Sequence, residues 1–171
     1  FKYNWSPENG TWEVPEQLPI HGVVHLAGQG IANWLWTKSH IEKIRESRIQ
    51  GTKFLINRFL NRLDKPEFFI SSSAVGYYGS RGETLLSESS SYGSGLIADI
   101  CVKWENESMR LEKEANVRTV LLRTGVVLGA KGGIFRKIKW QFFLGLGGYF
   151  GKGDQNISWI HINDWVKATL L

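Results

Sequence analysis

Phe68-Phe69-Ile70-Ser71-Ser72-Ser73-Ala74-Val75-Gly76-Tyr77-Tyr78-Gly79 is an apolar run that stops abruptly in serines and then turns to glycine and tyrosine. Glu67 to Ser73 therefore reads as a buried strand, set off by Lys65-Pro66 before it and by a long Gly- and Ser-rich loop from Ser71 to Gly95 after it. Upstream, Gly22-Val23-Val24-His25-Leu26-Ala27 is a second apolar, β-branched run, ending in Gly28. Ile41, Ile44, Ile49, Leu55, Ile56, Phe59, Leu60 and Leu63 recur between the two runs at helical spacing, with Ser39 and Glu42 in capping-box register. Downstream, Ile97 to Ala115 reads as one charged amphipathic helix and Val117 to Arg123 as a third strand. The order β, α, β, α, β predicts an α/β fold, a parallel sheet with flanking helices whose ligands sit at the carboxyl ends of the strands.

The flanks are less regular. The first twenty residues suit an irregular lead-in with a short strand around Lys2 to Trp5. The tail holds Gly145-Leu146-Gly147-Gly148, a strand-like Ile157 to Ile162 and a helix that Asn163 could cap. A length of 171 residues, 42% apolar and 22% charged, argues for a single domain over 1–171. No apolar run is long enough for a membrane span, so no membrane partner is expected. The lone Cys101 excludes an intramolecular disulfide and fits a reducing compartment, with cytoplasm as the expected location. The net charge of +5 raises nucleic acid as a partner, but the densest basic stretch, Phe135 to Trp140, mixes charge with apolar residues as a solvated helix face does. A basic nucleic-acid-binding module is accordingly the least favoured reading, and an oligomer is compatible with the sequence.

Small and hydroxyl-bearing residues gather where the strands end: Ala27-Gly28, Ser71-Ser72-Ser73-Ala74 and Arg123-Thr124-Gly125. Small residues let a cofactor approach the backbone, and hydroxyls supply donors in an apolar cleft. His25-Leu26-Ala27-Gly28, Ile70 to Gly79 and Leu121 to Gly129 resemble the strand-end motifs of the extended short-chain dehydrogenases/reductases. Trp36, Ser47-Arg48, Cys101 with Trp104-Glu105, and Ser158 to Asp164 resemble the uncharacterised epimerase group of that superfamily, the NAD-dependent epimerase/dehydratase-like proteins. The resemblance runs from about Trp5 to the end of the chain. It implies a Rossmann-like domain, with the start of a substrate-side region at about 130–171. NADP is the implied cofactor in preference to NAD, and Leu26, Ala27, Gly28, Ser71, Ser72, Arg123, Thr124, Gly125 and Val126 are the implied contacts. Tyr77, Trp159 and His161 are then expected toward the substrate, a small hydroxyl or carbonyl compound such as a nucleotide sugar.

Two departures from the family pattern matter. The opening strand, Gly-x-x-Gly-x-x-Gly turn and phosphate-holding helix are absent from the sequence, and Gly28-Gln29-Gly30-Ile31-Ala32-Asn33 imitates them poorly. With Phe1 as its first residue, the chain is expected to be N-terminally truncated, to lack the first strand–helix unit and to be inactive alone. The usual catalytic pair, a tyrosine four residues before a lysine, is also missing: Tyr3, Tyr77, Tyr78, Tyr92 and Tyr149 precede Pro7, Arg81, Gly82, Leu96 and Gly153 at that spacing.

Ser73 is the first catalytic candidate, because a hydroxyl at that strand end could bond a reacting oxygen. Cys101 and Glu105 share a helix face by spacing. A carboxylate beside a thiol raises the thiol pKa, so Glu105 as acid/base with Cys101 as neutral lining is the economical reading, unless Lys103 or Arg123 intervenes. A surface glutamate beside a buried cysteine is the alternative. His21, His25 and His40 have no ligand spacing with carboxylates, and no metal is expected. The tryptophans read mainly as core and cleft lining, with Trp34, Trp36 and Trp159 able to stack on a ring. Two functional classes remain open: an NAD(P)-dependent oxidoreductase or epimerase, and a dinucleotide-binding, redox-sensing protein without turnover.

Overall fold

The computed structural model describes residues 1–31, 36–130, 132–148 and 151–171, with the backbone alone at 135–137. Contacts divide the chain into two units, Phe1–Arg81 with Leu86–Arg123, and Gly82–Leu85 with Thr124–Leu171.

The first unit opens with a small antiparallel hairpin, β1 (Trp5–Ser6) and β2 (Thr11–Trp12), in place of the single early strand expected from the sequence. β3 (Gly22–His25) then pairs in parallel with β4 (Phe68–Ala74), Val23 opposite Phe69 and His25 opposite Ser71, and β5 (Arg118–Thr124) completes the order β3-β4-β5. The serines thus extend the strand to Ala74, and a 3₁₀ turn over Val75–Tyr78 follows.

Helix α1 (Lys38–Asn61) crosses from β3 to β4. Its cap is Thr37, whose hydroxyl accepts from the His40 N–H at 3.2 Å, because Thr37 is the last residue with extended backbone; Ser39 already lies inside the helix, and the Ser39/Glu42 capping box does not form. The expected helix from Ile97 to Ala115 is two, α2 (Leu96–Ser108) and α3 (Arg110–Ala115), separated at Met109, where ψ opens to −10°. The Met109 N–H still donates to the Glu105 carbonyl at 2.9 Å, so the chain bends without losing that backbone bond. Asn116, in the left-handed region at φ 55°, ends α3, as Asn tolerates better than most residues.

Leu55, Ile56 and Phe59 of α1 meet Phe69 of β4, Leu111 of α3 and Val117, and Trp5, Trp12, Ile20 and Val23 pack around them. Burying such side chains contributes about 1.5–3 kcal/mol each. Arg62 is almost wholly buried at the end of α1, where it donates to the carbonyls of Pro15, Glu16 and Leu18 at 3.3, 2.9 and 2.7 Å and pairs with Asp64 at 2.8 Å. That clamp holds the irregular lead-in against the helix. Trp104 is buried, but Trp36, Trp140 and Trp159 are largely open to solvent, which corrects their reading as core; Trp34 lies outside the described residues.

In the second unit, β6 (Val126–Leu128) pairs in parallel with β7 (Trp159–His161), and α4 (Gly133–Phe143) and α5 (Ile162–Thr169) complete it. Among the described residues no helix is long and apolar enough to cross a membrane.

Candidate active site

Burial alternates along β4: Ser71 and Ser73 are buried, Ser72 and Ala74 half-buried, as a period of two demands. The buried pair faces α2. Ser71 Oγ lies 2.8 Å from Ser108 Oγ, and Ser108 donates to the Trp104 carbonyl at 3.1 Å, so the Ser71 hydroxyl serves the strand–helix contact. Ser73 Oγ donates to Glu105 Oε1 at 2.6 Å.

Glu105 is the centre of a larger cluster. Arg123, near the end of β5, grips its carboxylate with two parallel bonds, Nε to Oε1 at 2.9 Å and Nη2 to Oε2 at 2.8 Å. Such forked, charge-assisted pairs are the strongest hydrogen bonds proteins make. Nη1 of the same guanidinium donates to Tyr78 Oη and to the Glu88 carbonyl, both at 3.0 Å, and its carbon sits 3.5 Å from the centre of the Tyr77 ring. The pKa of Arg123 is driven above its ordinary value, first by the bonds to Glu105 and further by that to Tyr78, so it is a permanent cation. Ser73, Glu105, Arg123 and Tyr77 are brought together here; Tyr78 joins them, unnoticed in the sequence because it sits far from Arg123 along the chain.

Cys101 lies one turn before Glu105 and is buried. Burial first, then the Glu105 charge, pushes its thiol up to about 11, and the opposing influence of Arg48 and Arg123 does not offset them. It is a neutral thiol near pH 7, not a thiolate nucleophile. Lys103 takes no part; it pairs with Asp99 at 2.9 Å at the surface.

The loop beyond β4 is pinned. Arg81 donates to the carbonyls of Tyr78, Ser91 and Tyr92 at 3.0–3.1 Å, and the Gly93 N–H donates to the Tyr77 carbonyl at 2.9 Å. A Cβ on Gly93 would fall 2.1 Å from the Tyr78 carbonyl oxygen, so only glycine fits that return. At the end of β3, His25 is buried and bonded to Thr52 at 2.9 Å, whereas Leu26, Ala27 and Gly28 are exposed.

The remaining predicted residues belong to the second unit. Trp165 Nε1 donates to the Thr124 hydroxyl at 2.9 Å, and the Val126 N–H donates to the Ser158 carbonyl at 2.8 Å. Gly125 is tight against that carbonyl, where a Cβ would stand 2.4 Å away. These groups serve the local packing of β6. The cap of α5 is His161 rather than Asn163: His161 Nδ1 accepts from the Asn163 N–H at 3.3 Å, which places the ring proton on Nε2. Trp159 is exposed, and His161 with Val127, Gly129 and Asn163 borders a cavity of about 590 Å³. Among the described residues no three His, Cys, Asp or Glu side chains gather as a metal ion would require.

The sequence matches the NAD dependent epimerase/dehydratase family over residues 4–171. The chain belongs to this family. An epimerase family protein of Mycobacterium bovis is 36% identical over 165 residues, 96% of this chain and 54% of the relative. One of Staphylococcus saprophyticus is 38% identical over 170 residues, 98% of this chain and 55% of the relative. The human epimerase family protein SDR39U1, solved with NADPH, superposes with a TM-score of 0.81 at 31% identity, over 92% of this chain and 52% of that one. A nucleoside-diphosphate sugar epimerase of Corynebacterium glutamicum gives 0.74 at 37% identity, over 88% of this chain and 31% of that one. The chain thus spans about half the length of the curated relatives it matches.

Proposed function

We propose that the whole protein binds a nicotinamide dinucleotide, NADP in preference to NAD, and acts as an oxidoreductase or epimerase on a small hydroxyl or carbonyl compound of the nucleotide-sugar class. The observation that carries this reading is the exposed, small-residue end of β3, Leu26-Ala27-Gly28, at the carboxyl end of a parallel strand pair. With one methyl at Ala27 and no side chain at Gly28, this strand end lets a ring or ribose approach the backbone. NADPH in the human family member, 31% identical, supports the cofactor class and the preference.

The dinucleotide, when bound, supplies hydride chemistry. The chain's own residues supply the proton path. Ser73 Oγ has lone pairs left after donating to Glu105, so a ligand hydroxyl can pass its proton to Ser73 as the Ser73 proton moves to Glu105 Oε1. Arg123 holds both carboxylate oxygens and so orients the carboxylate toward Ser73. Tyr77 braces the guanidinium from its open face. In the second unit, Trp159 offers an exposed indole and His161 its Nε2 proton to a ligand.

A second reading, dinucleotide binding without turnover, is favoured by the same ion pair: Glu105 is already neutralised by Arg123, and Cys101 is a protonated thiol. Thermal unfolding with NADPH and with NADH, followed by product analysis of carbonyl compounds and nucleotide sugars incubated with reduced and oxidised cofactor, tests both, because an epimerase returns its hydride and consumes no net cofactor. A raised Tm with turnover supports the enzyme, and a raised Tm without turnover supports the binding protein. No shift with either cofactor at saturation removes both readings.

A further inference from the structure

The loop that follows β3 is exposed, yet its shape is imposed by two consecutive side chains of α1. The Gln29 N–H donates to Ser47 Oγ at 2.9 Å, and Arg48 Nη1 donates to the Gln29 carbonyl at 2.9 Å. The N–H and the carbonyl of one residue are therefore held by neighbouring positions on one helix. Both holders are themselves fixed. Ser47 Oγ donates to the Ile44 carbonyl at 3.0 Å, and Arg48 Nη1 reaches the same carbonyl at 3.3 Å.

Arg48 also runs beneath the glycine. A Cβ on Gly28 would meet its guanidinium carbon and Nη1 at 3.5 Å, and that carbon lies 5.2 Å from the centre of the Trp104 ring. Trp104 belongs to α2, the helix that carries Cys101 and Glu105. Arg48 thus touches the loop from below on one side and the Glu105 helix on the other. A guanidinium does this well, since its plane stacks on an indole while its edge donates hydrogen bonds.

We infer that Ser47 and Arg48 form a latch that presets Leu26 to Gly30 as a ligand platform, making Arg48 a positioning residue that acts through Gln29. This rests on the dinucleotide-binding reading above. Without the latch, five exposed residues at the end of a strand must be ordered when the ligand binds, and affinity falls by that ordering cost. Losing one charge-assisted bond corresponds to about ten- to hundredfold weaker binding.

The test measures NADPH affinity by calorimetry and backbone amide exchange at Gln29 without ligand, using the whole protein and its Ser47→Ala, Arg48→Ala and Arg48→Lys variants. Ser47→Ala removes the hydroxyl of α1 that accepts from the exposed loop and is the variant least able to disturb folding. The expected result is faster Gln29 exchange in Ser47→Ala and Arg48→Ala, about tenfold or more weaker NADPH binding in both, and partial recovery in Arg48→Lys, whose ammonium can still reach the Gln29 carbonyl. Unchanged exchange in both alanine variants overturns the latch, whatever the affinity. Faster exchange with unchanged affinity overturns its role in binding. A wild-type protein that binds neither NADPH nor NADH fails at the first titration; that result removes the functional reading and the platform with it, and is distinct from a latch that fails in a protein that binds.

Discussion

Replacing Glu105 with glutamine keeps the shape of the side chain and removes its charge, which isolates the ion pair on which the cluster depends. The amide can still offer one oxygen to Ser73 or to Arg123 Nε, but its NH₂ would face Arg123 Nη2, donor against donor, where Oε2 now accepts at 2.8 Å. Breaking a fully buried pair from one side costs about 3–5 kcal/mol. Here the cost should be smaller, because the Arg123 side chain keeps some exposure at 19%, and it retains Tyr78 Oη, the Glu88 carbonyl and the face of Tyr77. About 2–3 kcal/mol is expected for Glu105→Gln, read from urea unfolding of the whole protein. Arg123→Met should destabilise as well, and the double variant should lose less than the two single losses together, by about 2 kcal/mol. A loss below about 0.5 kcal/mol for Glu105→Gln, or strict additivity in the cycle, would refute the ion pair as the organiser of this cluster.

His25 makes the protein acid-sensitive: burial lowers its pKa from 6.5 to about 4, so the unfolded state takes up the proton first. Stability should be full above about pH 6.5 and fall as the pH drops toward 4, by about 3 kcal/mol in all, and His25→Gln should flatten that part of the Tm–pH curve; parallel curves would count against it. Cys101, buried and with its thiol pushed up to about 11, should resist iodoacetamide at pH 8 in the native protein and react once urea unfolds it. Alkylation of the native protein at the rate of an exposed cysteine would contradict that environment.

The alternation of strands and helices was legible in the sequence because each depends on neighbours a few residues apart. Val23, Val24, Phe69 and Ile70 announce parallel strands, although only Phe69 of these is buried and Val24 stays exposed, and the spacing of Ile44, Leu55, Ile56 and Phe59 announces a helix. Ser73, Glu105 and Cys101 were also marked as candidates, from strand-end position and helix spacing. Finer points escaped even at short range: Thr37 caps α1 because backbone direction, not residue type alone, selects the cap, and Met109 divides a helix whose charge pattern runs on unbroken.

Partnerships were a different matter. Ser71 and Ser73 look alike beside Ser72 in the sequence, and only the packing of α2 on one face of β4 turns the first to Ser108 and the second to Glu105. Arg123 stands among the expected cofactor contacts by its place at a strand end, and its partners Glu105, Tyr77 and Tyr78 emerge only in the folded chain. Arg62 gave no local sign that it would clamp carbonyls more than forty residues away in the chain. The sequence alone thus determined which segments are strands and helices and which strand ends are rich in small and polar groups, since periodicity is a local property. The charge state of Cys101, the partners of Glu105 and the latch beneath Gly28 were decided only in the tertiary structure, because hydrogen bonds and desolvation depend on which distant groups meet when those faces pack.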